Sequence, residues 1–289
     1  MRKVIVNADE YGFNPHASLG IIKAHRNGIV TSTTVMMNIA TSLELCWLRR
    51  HPRLGVGLHL NITMGKPVSR LGKVKSLIRG RHFHGPVTFD KPPWDSFIAQ
   101  LKVDEVEEEF RAQAMLFKKR LGFAPDHLDS HFHIAGHPKI FPIYSRLAEE
   151  LQIPARLPVW FDPQGKFSIV TGLAKRMRKS CRTTDYGCFR YFCIEETPED
   201  KFIKALKSVK EGITEFMFHP GLLDEEDEKE MLNSILRAVD LEILTNHRVK
   251  QAVTKQKIRL VSFKTAMALS QPPAAQGFGL SNASGRAQT

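Results

Sequence analysis

Residues 4–12 read VIVNADEYG, an apolar, β-branched run that ends in two adjacent carboxylates and a glycine turn. The run favours a strand, and Asn14 followed by Pro15 is typical of the start of a helix. Asp9 and Glu10 therefore stand where a strand stops. In α/β proteins, catalytic groups collect at the carboxyl ends of parallel strands. Acids placed there bind a metal or transfer protons, and an acidic turn without function is the alternative.

Strand-like and helix-like segments alternate along the chain. Strands are predicted near residues 4–10, 30–37, 55–61, 126–133, 153–157, 189–194, 213–219 and 258–263, with helices at 15–27 and 104–121 and after 138 and 197. About eight strands alternating with helices predict a parallel sheet with helical crossovers. We expect a single α/β domain, an irregular (β/α) barrel over residues 1–270, and an open doubly wound sheet is the alternative.

Two segments break this alternation. Residues 62–103 are basic and show little periodicity, so we expect an insertion or lid with a function, or else a plain surface excursion. Residues 271–289 consist mostly of small and polar residues with little to bury, and they are predicted to be a disordered tail.

Composition narrows the class of protein. The 289 residues are 42% hydrophobic and carry a formal net charge of +12, which permits an anionic partner but identifies none. The sequence has no regular aromatic series among its basic runs, so no nucleic-acid partner is expected. No apolar run is long enough for a membrane span, and no signal peptide or CxxC pair is recognised, so we expect a protein of the reducing cytoplasm. A homodimer stays open.

Histidines follow several other predicted strands. His59 and His219 each end one, and His131 and His133 alternate on another, so that both imidazoles are expected on one face, about 7 Å apart. Imidazoles and carboxylates at one rim form the mixed set that Zn²⁺ accepts, and a harder ion such as Mg²⁺ is also compatible. The acids and histidines at these strand ends fit metal-assisted hydrolysis. If one acid and two histidines bind the metal, one acid and one histidine are left for proton transfer.

Four motifs resemble one enzyme family. NADEYG near the start, GLHLN near 57, HLDSHFH near 127 and FMFHPG near 216 look like those of the YdjC-like (ChbG-type) carbohydrate deacetylases, and the similarity runs from about residue 3 to 264. The resemblance implies an irregular (β/α) barrel of the glycoside hydrolase/deacetylase type. It also implies a hydrolase that removes acetyl groups from N-acetylated sugars such as chito-oligosaccharides with a divalent metal ion, Mg or Zn.

Position by position, the resemblance assigns roles to individual residues. Asp9 is the expected general base and His219 the expected general acid for the departing amine. Glu10, His59 and His131 are the expected metal ligands.

Four further residues are expected around this set. The resemblance places His133 at or next to the metal, Asp129 behind an imidazole and Arg156 against Asp9 or a substrate oxygen. Trp94 of the insertion is expected to stack on a sugar ring.

The sequence departs from the family pattern at two positions. The family usually has Asp where Glu10 stands, and the extra methylene moves the carboxylate by roughly 1.5 Å. Metal sites tolerate only a few tenths of an ångström in ligand distance, so the site must adapt to Glu10. Phe132 replaces the middle of three consecutive histidines and is expected to face away from the site.

Two other functions remain open. A metal-dependent phosphoesterase or amidohydrolase more often places His-x-His on the first strand, whereas here the first strand carries acids. A non-enzymatic, basic nucleic-acid-binding protein is favoured by the charge and disfavoured by the missing binding motif.

Overall fold

The structure is a computed structural model that describes residues 1–86, 91–162, 166–224 and 231–268. Strands and helices alternate within these ranges. The strands are β1 (Arg2–Tyr11), β2 (Ser32–Val35), β3 (Gly55–Leu60), β4 (Ile78–Arg79), β5 (His82–Phe83), β6 (Leu128–Ser130), β7 (Val159–Phe161), β8 (Phe167–Ile169), β9 (Tyr186–Cys188), β10 (Gly212–Phe218) and β11 (Arg259–Leu260). The helices are α1 (Pro15–Asn27), α2 (Ser42–Arg49), α3 (Lys91–Gln100), α4 (Val103–Leu121), α5 (Phe141–Leu151), α6 (Thr171–Ser180), α7 (Pro198–Lys207), α8 (Met231–Thr245), α9 (His247–Lys255) and α10 (Phe263–Ala268).

The main sheet is parallel and curls into part of a barrel. Its strand order is β6-β3-β2-β1-β10-β9, and β11 adds to β1. The central strand β1 pairs with β10 from Arg2–Gly212 to Ala8–Phe218. Val4, Val6 and Ala8 belong to the core under the helices, so the alternate positions of β1 face the barrel interior. The predicted α/β class and barrel-like architecture are confirmed.

Several local signals form as predicted. The side chain of Asn14 accepts from the backbone N–H of Ala17. The pattern Thr41-Ser42-Leu43-Glu44 predicts a capping box, and Thr41 with Glu44 makes a complete one at α2. Two other details were wrong. The helical spacing predicts Leu19 and Ile22 on the buried face of α1, but only Ile22 is buried and Leu19 is 37% exposed. The spacing of Asp104 and Glu107 predicts a capping box, but α4 already begins at Val103 and its cap residue Lys102 makes no side-chain hydrogen bond.

Two predicted strands were largely wrong. Residues 153–157 contribute one parallel bridge, Ala155 to Leu128, because Pro154 and Pro158 lack the N–H groups that a longer ladder needs. Residues 189–194 do not form a strand. β9 ends at Cys188, and Phe192–Ile194 is a 3₁₀ turn in which the Phe192 ring packs against Phe202 of α7 and Phe218 of β10.

The insertion has structure of its own. Within its described part, β4 and β5 form a short hairpin and α3 leads into α4. The Trp94 indole is fully buried and packs against Phe97, Phe132 and Trp160. The predicted tail at 271–289 lies outside the described residues. Within the described ranges, none of the helices combines the length and the apolar composition needed to cross a bilayer.

Candidate metal and proton-transfer site

Ala8 packs in the core under the helices, so the next residue of β1, Asp9, points to the opposite side, into the barrel. Arg156 donates two hydrogen bonds to its carboxylate, from Nη1 to Oδ2 at 2.5 Å and from Nη2 to Oδ1 at 2.7 Å. Asn7 Nδ2 donates a third, to Oδ1 at 2.7 Å. Burial acts to raise the pKa of Asp9, but the charge of Arg156 outweighs it and holds the pKa well below the usual range. The buried carboxylate is therefore ionised, and the predicted contact with Arg156 is present.

Glu10 is turned toward the same interior by an unusual backbone. Its φ is +70°, the left-handed region that non-glycine residues rarely adopt. Oε1 lies 3.1 Å from His131 Nε2, and Oε2 pairs with Arg237 of α8. The guanidinium of Arg237 also lies 4.7 Å from the centre of the Phe13 ring. Burial acts to raise the pKa of Glu10, yet Arg237 and the nearby imidazoles hold it well below its usual range.

His59 presents one nitrogen to the site. Its Nδ1 lies 2.7 Å from Asp129 Oδ1, while its buried Nε2 has no hydrogen-bond partner among the described residues. Asp129 is itself fixed by Thr34 at 2.9 Å and by Arg156 at 3.1 Å. Burial acts to lower the pKa of His59, but Asp129 raises it above the usual value. With Nδ1 donating to Asp129, the Nε2 lone pair of a neutral His59 is available to a ligand.

His131 reaches the site by a route that strand alternation does not describe. The expectation that His131 and His133 share a strand was wrong, because β6 ends at Ser130 and a 3₁₀ segment begins at His131. Phe132 and His133 have φ values of +51° and +54°. His131 Nδ1 lies 2.6 Å from the Thr63 hydroxyl, which leaves Nε2 toward Glu10.

The same turn carries His133 into aromatic surroundings. Its ring lies 5.1 Å from that of Phe167 and 5.8 Å from that of Phe189, centre to centre. Burial, with the nearby charge of Arg156, lowers the pKa of His133 to about 3, so this imidazole is neutral at physiological pH. A place at or next to a metal stays a prediction. Phe132 packs on both Trp94 and His131, so it does not simply face away.

One group of side chains is close enough together to hold a cation. Among the described residues, Asp9, His59 and Asp129 each offer a donor atom within 4.8 Å of the other two. Both of these acids, however, are engaged by Arg156. Glu10, His59 and His131 are not brought this close as a group, although His59 Nε2 has no partner among the described residues and Glu10 Oε1 lies 3.1 Å from His131 Nε2. Their role as metal ligands stays a prediction.

His219 stands beside Glu10 after the end of β10. Its Nε2 lies 3.9 Å from Glu10 Oε1, and its ring stacks on Tyr191 with a centre-to-centre distance of 5.4 Å. The backbone N–H of His219 donates to Asp240 at 2.8 Å, which fixes the turn that carries the ring. Burial lowers the pKa of His219, and the Glu10 and Asp9 carboxylates oppose that shift.

Sequence reasoning missed several residues of this site, among them Asn7, Arg237 and Glu215, whose Oε1 accepts from Arg156 Nε at 2.7 Å. Asn7 and Glu215 could have been found from strand alternation. Asn7 lies two positions before Asp9, and Glu215 lies four positions before His219, so each shares a strand face with a predicted site residue. Arg237 had no such signal, since it comes from a helix far along the chain. Trp94 is brought near Phe132, but its burial leaves no ring face for the sugar that was expected to stack on it.

Known proteins resemble this chain over most of its length. The sequence profile of the YdjC-like protein family matches residues 3–255. A carbohydrate deacetylase of Brevibacillus brevis is 37% identical over 265 residues, with 90% of this chain and 98% of the relative covered. A chitooligosaccharide deacetylase of Proteus mirabilis is 31% identical, with 90% and 97% covered.

Solved structures show the same fold. A crystal structure from Enterococcus faecalis, provisionally described as a cellobiose-phosphate cleavage protein, has a TM-score of 0.76 and 28% identity, with 91% of this chain and 98% of that chain covered. A family 4 carbohydrate esterase from Streptomyces lividans has a TM-score of 0.50 at 9% identity, with 92% and 95% covered, and shows the fold alone.

The curled parallel sheet, with acids and imidazoles at the carboxyl ends of its strands, defines a deacetylase-type (β/α) barrel. The chain belongs to the YdjC-like family. The two curated relatives above are deacetylases, enzymes of the hydrolase class.

Proposed function

We propose that this protein is a metal-dependent hydrolase that removes an acetyl group from an N-acetylated sugar or oligosaccharide. The observation that carries the proposal is the convergence of Asp9, Glu10, His59, His131 and His219 at one rim, although they come from four separate parts of the sequence. The names of the curated relatives support a carbohydrate substrate, and chito-oligosaccharides are the first substrates to test.

Glu10, His59 and His131 would hold the metal ion. Asp129 and Thr63 fix the Nδ1 side of the two imidazoles, which leaves both Nε2 atoms as donors. Two imidazoles and one carboxylate form a set known from zinc hydrolases, and Mg²⁺ is the other candidate. When bound, the metal supplies a water of lowered pKa and polarises the amide carbonyl.

Asp9 and His219 would transfer the protons. Asp9 is ionised and held in place by Arg156, so it can accept a proton from the attacking water. His219 has its Nε2 3.9 Å from Glu10 Oε1 and would give a proton to the amine nitrogen as the C–N bond breaks. The products are acetate and a free amino sugar.

Acetate release from di-N-acetylchitobiose tests the proposal, with the protein loaded with Zn²⁺ or Mg²⁺ in separate assays. Asp9→Asn should bind the metal as the wild type does and lose activity by at least about 100-fold, the size expected when a general base is removed. His219→Gln should also keep the metal. If Asp9→Asn cleaves every amide that the wild type cleaves at the same rate, the assigned role is wrong.

Two further assays distinguish the rival functions from a deacetylase. Phosphate release from a sugar phosphate, without acetate release from any N-acetylated sugar, would favour a phosphoesterase. Binding to DNA or RNA that weakens steeply with salt would favour a basic nucleic-acid-binding protein.

A further inference from the structure

His127 is a buried imidazole that the proposed reaction does not use. It immediately precedes β6, and no part of it is exposed. Nδ1 lies 2.5 Å from Asp126 Oδ1, and Nε2 lies 3.0 Å from Asn7 Oδ1. Asn7 is in turn the residue that donates to Asp9. A continuous chain of hydrogen bonds therefore runs from Asp126, near the barrel wall, to the proposed base.

The imidazole of His127 has no room to turn. The Phe263 ring stacks on it with centres 4.0 Å apart and planes 14° apart. Gly57 covers its edge, where a Cβ would lie 2.5 Å from Cε1 of the imidazole. The close approach requires glycine at position 57, and the backbone N–H of Leu58 donates to the His127 carbonyl at 2.9 Å. The ring therefore keeps Nε2 directed at Asn7.

The surroundings of Asn7 fix which way its amide faces. Nδ2 donates to Asp9 Oδ1 at 2.7 Å and has Asp129 Oδ2 3.4 Å away, so Oδ1 faces His127 Nε2 at 3.0 Å. An amide oxygen can only accept, so this contact uses a proton on His127 Nε2. The opposite orientation would place two oxygens of Asn7 and Asp9 against each other. His127 and the two carboxylates thus favour the same orientation, in which Asn7 stabilises the Asp9 carboxylate.

The orientation of Asn7 also decides which oxygen of Asp9 is free. A carboxylate has about four acceptor sites, two on each oxygen. Oδ1 receives Asn7 Nδ2 and Arg156 Nη2, and Oδ2 receives Arg156 Nη1. One acceptor site therefore remains, on Oδ2, and it is the one available to a proton from water.

We propose that His127 is a positioning residue that acts through Asn7 to fix Asp9 with Oδ2 as the proton acceptor. The inference rests on the proposed role of Asp9 as the base. It makes no use of contact between His127 and substrate or metal.

Two substitutions of similar polarity test the inference. The side-chain nitrogen of Gln occupies a place near that of His Nε2, whereas the nitrogen of Asn lies near Nδ1 and falls short of Asn7. His127→Gln should therefore keep kcat for di-N-acetylchitobiose within about threefold, and His127→Asn should lower it by about 10- to 100-fold, as displaced catalytic groups do. KM and the metal Kd, measured by calorimetry, should change less than about twofold in both, because neither variant touches those groups.

Asn7→Ala provides the second measurement. It should lower kcat about as much as His127→Asn, and combining the two should bring no further loss, because both act on one chain of hydrogen bonds. Additive losses, or equal kcat values for folded His127→Gln and His127→Asn, would overturn the inference. If His127→Asn does not fold, an unchanged kcat in folded Asn7→Ala overturns it alone. Full activity of Asp9→Asn would instead contradict the proposed role of Asp9 as the base. A failure of that role is therefore distinguishable from a failure of the role proposed for His127.

Discussion

Glu215 should make the protein less stable as the pH rises. Its carboxylate lies on β10 with no exposed surface, and Oε1 accepts from Arg156 Nε at 2.7 Å. Oε2 has no partner among the described residues. Burial raises the pKa of Glu215 from 4.5 to about 7, although Arg156 opposes the rise. The substitution Glu215→Gln keeps the shape and an acceptor for Arg156 but removes the charge.

The size of the effect follows from the shift. A change from 4.5 to about 7 corresponds to about 3 kcal/mol, at 1.36 kcal/mol per pH unit. Between these two values the folded protein binds more protons than the unfolded chain, so the free energy of unfolding falls as the pH rises. The loss is absent below about pH 4.5 and complete above about pH 7.5. Glu215→Gln should therefore match the wild type near pH 4.5 and exceed it by about 3 kcal/mol at pH 8.5.

Urea unfolding at the two pH values measures this difference. A chelator keeps metal binding from adding to the stability of either protein. The matched control is Glu242→Gln on the exposed face of α8, which should stay within about 0.5 kcal/mol of the wild type at both pH values. An equal stability of Glu215→Gln and wild type at pH 8.5, or a lower stability of the variant, would refute the account of this buried charge.

Three further predictions use other parts of the structure. Trp94→Ala should lower the free energy of unfolding by about 3–5 kcal/mol in urea, because the indole is fully buried, and should leave KM for chito-oligosaccharides unchanged wherever the variant is folded. Gly122→Ala should destabilise the protein by about 1 kcal/mol, since φ is +84° and the added methyl meets nothing, whereas Gly172→Ala within α6 should stabilise it by about 0.5–1 kcal/mol; paired urea curves decide both. Asp129→Asn should weaken metal binding by about 10- to 100-fold in calorimetry, because it removes the negative charge that faces His59 Nδ1.

Much of the fold and the site could be predicted from strand ends. The β-branched run before Asp9 identifies β1, and the period of two along a strand places Asn7 and Asp9 on one face. His59 and His219 follow β-rich segments in the same way. These inferences need only local backbone geometry, which is why they succeed without knowledge of the packing.

Other features depend on contacts that local patterns do not encode. The left-handed turn at Phe132 and His133 is unfavourable for non-glycine residues, so nothing in the sequence predicts it, yet it directs His131 toward Glu10. Arg237 reaches Glu10 from a helix whose sequence shows only an ordinary exposed cation. Trp94 lies in a segment without periodicity, and its burial follows from aromatic partners elsewhere in the chain.

The balance of charge inside the barrel is a separate argument for a cation there. Two guanidinium groups, those of Arg156 and Arg237, pair with four buried carboxylates. The carboxylates are those of Asp9, Glu10, Asp129 and Glu215. The uncompensated negative charge is visible in two pKa values. Burial acts to lower the pKa of His59, but the charges of Asp129, Asp9 and Glu10 raise it above its usual value. The pKa of Glu215 is raised by burial and by the charge of Asp9, although Arg156 opposes the rise. Both groups therefore tend to hold a proton, and a divalent ion on Glu10, His59 and His131 would replace the proton on His59 with a fixed charge. Metal binding should accordingly release protons, and calorimetry in buffers of different ionisation enthalpy would count them.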